Sequence, residues 1–532
     1  MLYEDPLHHP VFLISGVQNC NMKRSDKMGA RKQALRTWDW TMSLDRDDSR
    51  PLNVQISEEI VERIRAGLLL PGTPLPGSRE FAAILSVNRK TIVLVYDELA
   101  AQGWLSTEGR RGTFVSPNLP HVSGAHGADR SSIFNETLPH PAYQVYGSTE
   151  PLPEIASEGV IDFTDGAPDT RLVPFGALSG AFRLALLEFA RGNQLGYSDP
   201  RGIFELRNTL ASMLRIERGL KADPESLCVV RGSQMGIYVA ARILVRSGDT
   251  VVLERLTYPP ARDAFRACGA SIVSIDQDEF GMSPESLRNV CKAQRVRAIY
   301  LTPHHQFPTT VTMPIERRME LLKLAEEFGF VIVEDDYDHE FHFNHNPMQP
   351  MAAIDRRGTV IYIGSLSKIL APGLRVGYIA AHPSIIHRIA NEVVLIDRQG
   401  NSVTERAVAD LMQSGELRRH IRHAAKVYHA RCHTAAALVS EYLGPFASVD
   451  IPDGGLALWV RMAEIVDMDN LFGAAKKHKV KILPGSIFSA ESRNVKAIRL
   501  GYASLNELEI KTGMSRIKSA LSQQVNLYRP AA

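Results

Sequence analysis

Cysteine is scarce and unpatterned in this chain. There are five, Cys20, Cys228, Cys268, Cys291 and Cys432, and none forms a CxxC pair. An odd, scattered set excludes a disulfide framework and a cysteine zinc site and fits reduced cytoplasmic thiols, so no metal is expected. Long apolar runs are missing as well: nothing approaches the ~18 residues needed to cross a bilayer. The first residues place Glu4 and Asp5 ahead of a short apolar stretch, VFLISGV, which is the wrong charge for a signal peptide. A charge excess is also lacking. Lys and Arg total 61 against 59 Asp and Glu, a net of +2, so bulk charge specifies no polyanionic partner and any such contact must be local. Internal repeats and low-complexity tracts do not occur. A soluble cytoplasmic chain without a membrane partner is expected.

The chain does have length and ordinary globular composition. Its 532 residues, 44% hydrophobic and 23% charged, suggest about three units with sizeable cores. Residues 1–47 show no sustained periodicity and read as a flexible extension, with Met28 or Met42 as other possible starts. Between Pro51 and Gly67, Ile56, Ile60 and Ile64 recur every four positions, which predicts an amphipathic helix. Ser78 is placed to cap a short second helix through Phe81, Ile84 and Leu85. A third helix, Arg89 to about Gln102, carries Ile92, Val95, Tyr96 and Leu99 on one stripe. Trp104–Ser106 and Thr113–Val115 flank a Gly-rich turn and read as a hairpin. Three helices and a hairpin make a winged helix-turn-helix over 48–116.

The second helix of a helix-turn-helix enters the major groove N-terminus first, so base and phosphate contacts cluster there. Arg79, Arg89, Lys90 and Thr91 meet that requirement, and Arg110 and Arg111 sit at the hairpin tip, within reach of the minor groove or backbone. The segments PLNVQISEEIVERIRAG, LPGSRE, NRKTIVLVYDELAAQGWL and GRRGTFVS resemble the GntR-type winged-helix family. The resemblance implies a double-stranded DNA operator contacted by Arg79, Arg89, Lys90, Thr91 and the wing residues Arg110, Arg111 and Gly112. Val93 stands where some relatives carry a further basic contact.

Residues 117–160 hold Pro117, Pro120, Pro139, Pro141, Pro151 and Pro153, a composition that opposes regular structure and predicts a linker. Beyond it, across 161–530, short Val/Ile-rich runs alternate with helical periods: CVV, TVVLE, RAIYLTP, FVIVEDDYD and VIYIGSLSK. That alternation predicts an α/β domain with a mainly parallel sheet. Several of its segments together suit pyridoxal phosphate, whose chemistry needs a Schiff-base lysine, an acid at the ring nitrogen, a phosphate cradle and a carboxylate clamp. Lys368 follows a β-run beside Ser365 and Arg375, which can give the phosphate a hydroxyl and a cation. Glu334, Asp335, Asp336 and Asp338 crowd one strand end, where they would repel unless a cation takes up charge. Asp335 is assigned to the pyridine nitrogen and Tyr337 to the ring hydroxyl; a solvated loop or a metal site is the other reading of this run. Ser233 and Gln234, in RGSQMG, open a helix after a strand and suit the phosphate. Tyr258 is placed to stack on the ring, and Arg499 to receive a carboxylate.

The ordered set LGYSDPRG, RGSQMG, TYP, TPHHQFPTT, EDDYD, SLSK, LRVGY and IRLGYA resembles fold-type I aminotransferases. That resemblance implies pyridoxal 5'-phosphate on Lys368, with Asp335 at the ring nitrogen and Tyr337 at the phenolic oxygen. It gives the phosphate to Ser233, Gln234, Ser365 and Arg375, and an amino-acid carboxylate to Arg499. Tyr197 would reach the phosphate from a second subunit, which implies a homodimer. Where those enzymes carry Asn-Pro-x-Gly, this chain has Phe307-Pro308-Thr309-Thr310 after His305-Gln306, so an expected hydrogen bond to the ring oxygen is missing. A His-Gln-Phe-Pro segment joined to a GntR-type head resembles the MocR subfamily of transcriptional regulators. The implied function is a regulator that senses pyridoxal phosphate, or its adduct with a small amino compound, and alters DNA binding. The alternative is an active aminotransferase with an autoregulatory DNA-binding head.

Overall fold

The computed structural model describes residues 42, 44–46, 48–109, 111–120, 143–144, 159–164, 166–343, 347–491 and 494–527. Arg110 and Cys20, with most of the expected extension and linker, lie outside the described residues. The chain divides into two compact units, Met1–Glu150 and Pro151–Ala532. No helix among the described residues is long and apolar enough to cross a membrane.

The first unit contains α1 (Leu52–Arg65), α2 (Ser78–Ile84), α3 (Arg89–Ala101), β1 (Leu105–Thr107) and β2 (Thr113–Val115). The four-residue isoleucine spacing of α1 buries Ile56, Ile60 and Ile64 against Phe81, Ile92, Val95 and Leu99, one apolar stripe per helix. The strands pair antiparallel, Leu105 opposite Val115. Two sequence expectations change. Ser78 is the first helical residue after Gly77 rather than the cap, and its Oγ accepts from Arg89 Nε at 3.4 Å. The end of the expected extension is docked: Met42 and Leu44 pack on the helical core, and Asp45 and Gln55 exchange two hydrogen bonds. Burying two apolar side chains offsets the entropy of ordering that segment.

The second unit is built on a seven-stranded sheet. In chain order its strands are β3 (Leu227–Val230), β4 (Thr250–Glu254), β5 (Ser271–Ile275), β6 (Val296–Leu301), β7 (Val331–Asp336), β8 (Val360–Ser365) and β9 (Gly377–Ala380). Their spatial order is β3-β9-β8-β7-β6-β4-β5. The sheet is parallel except for β9, which runs against both its neighbours. Continuous apolar strands such as LCVV and VRAIYL are buried on both faces, as helix-covered parallel sheets require. Helix α4 (Gly232–Leu244) follows β3 directly and packs on the sheet. A second core gathers the helix α5 (Glu416–Leu443), the antiparallel pair β10 (Ala457–Met462) and β11 (Ala497–Gly501), and the closing helix α6 (Glu507–Leu527).

Candidate cofactor and effector site

The acidic run occupies the end of β7, where strand alternation sends neighbouring carboxylates to opposite faces. The carboxylates therefore meet different partners rather than one another. Glu334 accepts from the backbone N–H groups of Met351 and Ala352 at 2.8 and 2.9 Å. Asp336 accepts from the Tyr362 hydroxyl at 2.6 Å and lies 3.8 Å from Arg218. Asp338 pairs with His305 at 2.9 Å. Burial acts against a charged His305 ring, but the adjacent Asp338 carboxylate outweighs it, so the His305 pKa is raised.

Asp335 alone of these faces a cavity. Its Oδ2 accepts from the Tyr300 hydroxyl at 2.7 Å, and its Oδ1 is buried without a hydrogen-bond partner. Burial pushes its pKa up to about 7, against the Tyr300 bond. The cavity measures about 480 Å³ and is lined by Ser233, Tyr258, Asp335, Tyr337, Lys368 and Arg499, together with Thr164, Tyr300, Thr302, Phe307 and Phe488 among others. Six residues chosen from the sequence thus converge from five separate segments. It lies beyond the carboxyl ends of the parallel strands, the usual position for ligands in open α/β sheets.

Lys368 is half-buried just after β8 and donates from Nζ to Gly166 O at 3.4 Å. Gly166 also touches the clamp: its φ is +49°, and a Cβ there would stand 2.7 Å from Arg499 Nη2. Arg499, 2% exposed, is held on β11 with its guanidinium carbon 4.3 Å from the centre of the Phe307 ring. Its Nε has no hydrogen-bond partner among the described residues. A buried guanidinium in that state is preorganised to receive a carboxylate. Tyr258 meets Phe307 edge-on at 5.0 Å, and Tyr337 donates to His305 O at 3.2 Å.

The expected phosphate residues divide. Ser233 lies in the first turn of α4 and lines the cavity. Gln234 is in the same turn, but its side chain turns away and donates to Pro260 O at 3.1 Å. Ser365 is buried at the end of β8, opposite Gly377, which in turn faces Val230. Arg375 lines a neighbouring hollow of about 210 Å³; it donates to Arg231 O at 2.8 Å and packs on Gly232. The N-terminus of α4 presses on β9 so closely that a Cβ at Gly377 would lie 2.7 Å from Gly232 C. This is a tight cradle of backbone N–H groups, hydroxyls and one guanidinium, suited to a dianion. Tyr197 is 82% exposed in the single chain, with Arg398 over its ring at 5.0 Å.

The divergent loop is pinned by Gln306, whose Nε2 donates to Glu254 Oε2 at 2.9 Å and Leu256 O at 2.7 Å. Thr310 takes φ +65° where the aminotransferase pattern has Gly. Glu254 is buried at the end of β4, and desolvation pushes its pKa up to about 7. A raised folded value means that its stabilising contribution is complete below the unfolded value near 4.5 and is lost as pH rises to about 7. The loss is about 3 kcal/mol at most. Glu254→Gln is therefore expected to gain urea stability relative to the parent between pH 5 and pH 8; an equal difference at both pH values would refute this assignment.

In the first unit, Arg79 is exposed in the first turn of α2, and at the start of α3 Arg89 and Lys90 are exposed and Thr91 half-exposed. Asn88 caps that helix by accepting from Lys90 N at 2.9 Å. At the wing, Arg111 pairs with Glu108 at 2.5 Å on the surface, a contact that phosphate can replace at little cost. Gly112 follows immediately before β2.

Sequence signals missed Tyr300 and Thr164 in the cavity wall, and Gly166, which touches Lys368 and Arg499. Tyr300 sits in a strand that reads as apolar core, and only its register opposite Val333 turns its hydroxyl toward Asp335. Thr164 and Gly166 come from a segment more than 300 residues from Arg499 in sequence and carry no motif.

Comparison with known proteins agrees with this geometry. The profile of the family "Aminotransferase class I and II" matches residues 159–517, and that of "Bacterial regulatory proteins, gntR family" matches 52–115. The rhizopine catabolism regulatory protein MocR of Rhizobium meliloti is 29% identical over 477 residues, covering 90% of this chain and 95% of that one. The HTH-type transcriptional regulator YdeL of Bacillus subtilis is 30% identical over 487 residues, 91% and 99% respectively. Among solved structures, LysN, the alpha-aminoadipate aminotransferase of Thermus thermophilus complexed with N-(5'-phosphopyridoxyl)-L-leucine, superposes with a TM-score of 0.65 at 27% identity. It covers 70% of this chain and 94% of that one. Pyridoxal phosphate is the cofactor so implied, and the partnerless Asp335 Oδ1, the cavity lysine and the α4 cradle fit it. A GntR helix-turn-helix head on an aminotransferase class I/II domain makes this chain a MocR-type, pyridoxal phosphate-dependent transcription regulator.

Proposed function

We propose that the large unit senses pyridoxal phosphate or its adduct with a small amino acid-like effector, and that occupancy of Arg499 by the effector carboxylate changes DNA binding. The observation that carries this reading is the buried Asp335 Oδ1, without a partner and facing the same cavity as Lys368 and Arg499. When bound, the cofactor supplies an aldehyde for reversible carbon–nitrogen bonding and an electron-withdrawing ring. Lys368 Nζ is the amine that holds it until an effector amine takes its place. Asp335 would hold a proton at the ring nitrogen, and the Tyr337 hydroxyl, which donates to His305 O here, would turn to the ring oxygen, where Phe307 offers no hydrogen bond. Ser233 and the N–H groups at Ser233 and Gln234 receive the phosphate, with Ser365 and Arg375 beside them. Tyr258 packs on the ring.

Effector binding shifts DNA affinity only through different affinities for two arrangements of the molecule. The proposed assembly is a cytoplasmic homodimer in which Tyr197, exposed in one chain, reaches the partner's phosphate site. The DNA-reading unit is 48–116, the sensing unit 161–530, with 117–160 between them. Arg79, Arg89, Lys90, Thr91, Arg110, Arg111 and Gly112 face the operator. The test follows the cofactor's visible spectrum and operator binding together while amino acids are screened. A compound that changes the spectrum should change operator affinity with the same midpoint; spectral changes that never alter DNA binding would refute the sensor. For the head, Arg89→Ala is expected to weaken binding to related operators uniformly and lower the salt slope by about 1. An unchanged slope would remove Arg89 from the phosphate contacts.

A further inference from the structure

On the face of β7 opposite the cavity, His304, Asp336 and His339 bring three potential ligand atoms within 4.8 Å of one another. All three residues are buried, and none lines the cofactor cavity. The ring of His304, 6% exposed, has no hydrogen-bond partner at either nitrogen among the described residues. It lies against His339, ring centres 4.6 Å apart. His339 Nδ1 stands 2.9 Å from Asp336 Oδ2, and Asp336 Oδ1 has no hydrogen-bond partner among the described residues. Unpartnered buried polar atoms are costly, and here they cluster at one point.

We propose that His304, Asp336 and His339 bind one divalent transition-metal ion of the zinc class, as a structural site that joins the loop after β6 to the end of β7. Two imidazoles and a carboxylate are a sufficient donor set for such an ion, with a water as fourth ligand. Movements of about 1 Å bring the donors to the roughly 3.4 Å spacing that ~2.1 Å bonds require in a tetrahedron. Around the site the carboxylates of Asp336, Asp338 and Glu340 stand against the guanidinium groups of Arg218 and Arg318. Tyr362 and Arg218 orient Asp336 from outside the set, the supporting role that outer hydrogen bonds play around metal ligands. The scattered cysteines predict no metal, and a metal is only the second reading of the acidic run; this triad joins Asp336 of that run to His304, 32 residues away in sequence.

The test uses cofactor-loaded, full-length protein, stripped with EDTA, reloaded with Zn²⁺ and gel-filtered. The parent is expected to retain one more zinc per chain than His304→Gln/His339→Gln. The exposed pair His429 and His433, with Nε2 atoms 2.9 Å apart, is a second place for zinc, so His429→Ala/His433→Ala serves as control and should keep the buried ion. Zinc is further expected to raise the melting midpoint of the parent and of that control by several degrees, and EDTA to reverse it. Equal zinc in the parent and the His304/His339 variant would overturn the proposal. If that variant does not fold, melting decides: midpoints of the parent and the control that ignore both zinc and EDTA overturn it.

Discussion

Lys368→Ala is expected to leave the protein unlabelled when it is treated with borohydride in the presence of pyridoxal phosphate, whereas the parent gains the mass of one cofactor per chain. The Nζ lies in the cavity with Asp335, Tyr337 and Ser233, and borohydride fixes a carbonyl compound only where an amine has condensed with it. The phosphate cradle survives the substitution, so weak, dialysable binding is expected to persist. Operator affinity without effector should stay within about twofold of the parent, since the DNA-reading head is a separate unit with its own core. The response to effector should vanish. Mass spectrometry of the reduced protein is the measurement, and labelling of the variant at full stoichiometry would give the lysine's role to another residue.

The second large effect is expected at Arg499. Arg499→Leu removes a buried cation that has no ion-pair partner among the described residues, so the free protein loses little. A bound carboxylate then loses a charge-assisted, two-pronged contact worth about 2–5 kcal/mol, so effector potency should fall roughly 30-fold or more. Cofactor loading should remain. An amine of similar size without a carboxylate provides the control, because its binding should not distinguish the variant from the parent. Equal weakening of both ligands would make Arg499 a packing residue. Arg499→Lys is expected to recover only part of the potency, since an ammonium cannot reproduce the planar fork.

The legible part of this protein is the part in which chemistry is written as a local string. EDDYD, SLSK and RGSQMG each announce a residue type at a strand end or helix start, and Asp335, Lys368 and Ser233 meet at the cavity as expected. Isoleucine spacing likewise places α1 and its core. What escaped depends on distances that no string contains. Tyr300 reads as one more apolar residue until β6 and β7 are set in register. The acidic run looks self-repelling until alternation gives Glu334 a helix N-terminus and Asp336 a tyrosine. Ser365 ends β8 in a buried position, and Arg375, its backbone left-handed at φ +52°, opens onto a hollow beside the cavity, placements that no string contains.

The stacking of Arg499 on Phe307 has a bearing on selectivity. An aromatic face steadies a cation without cancelling its charge, so the Arg499 end of the cavity stays cationic. Zwitterions can satisfy that end and offer an amine to the other; diamines and polyamines bring a second positive group against it. Discrimination between these two classes of metabolite would then follow from polarity alone, before any difference in shape is considered.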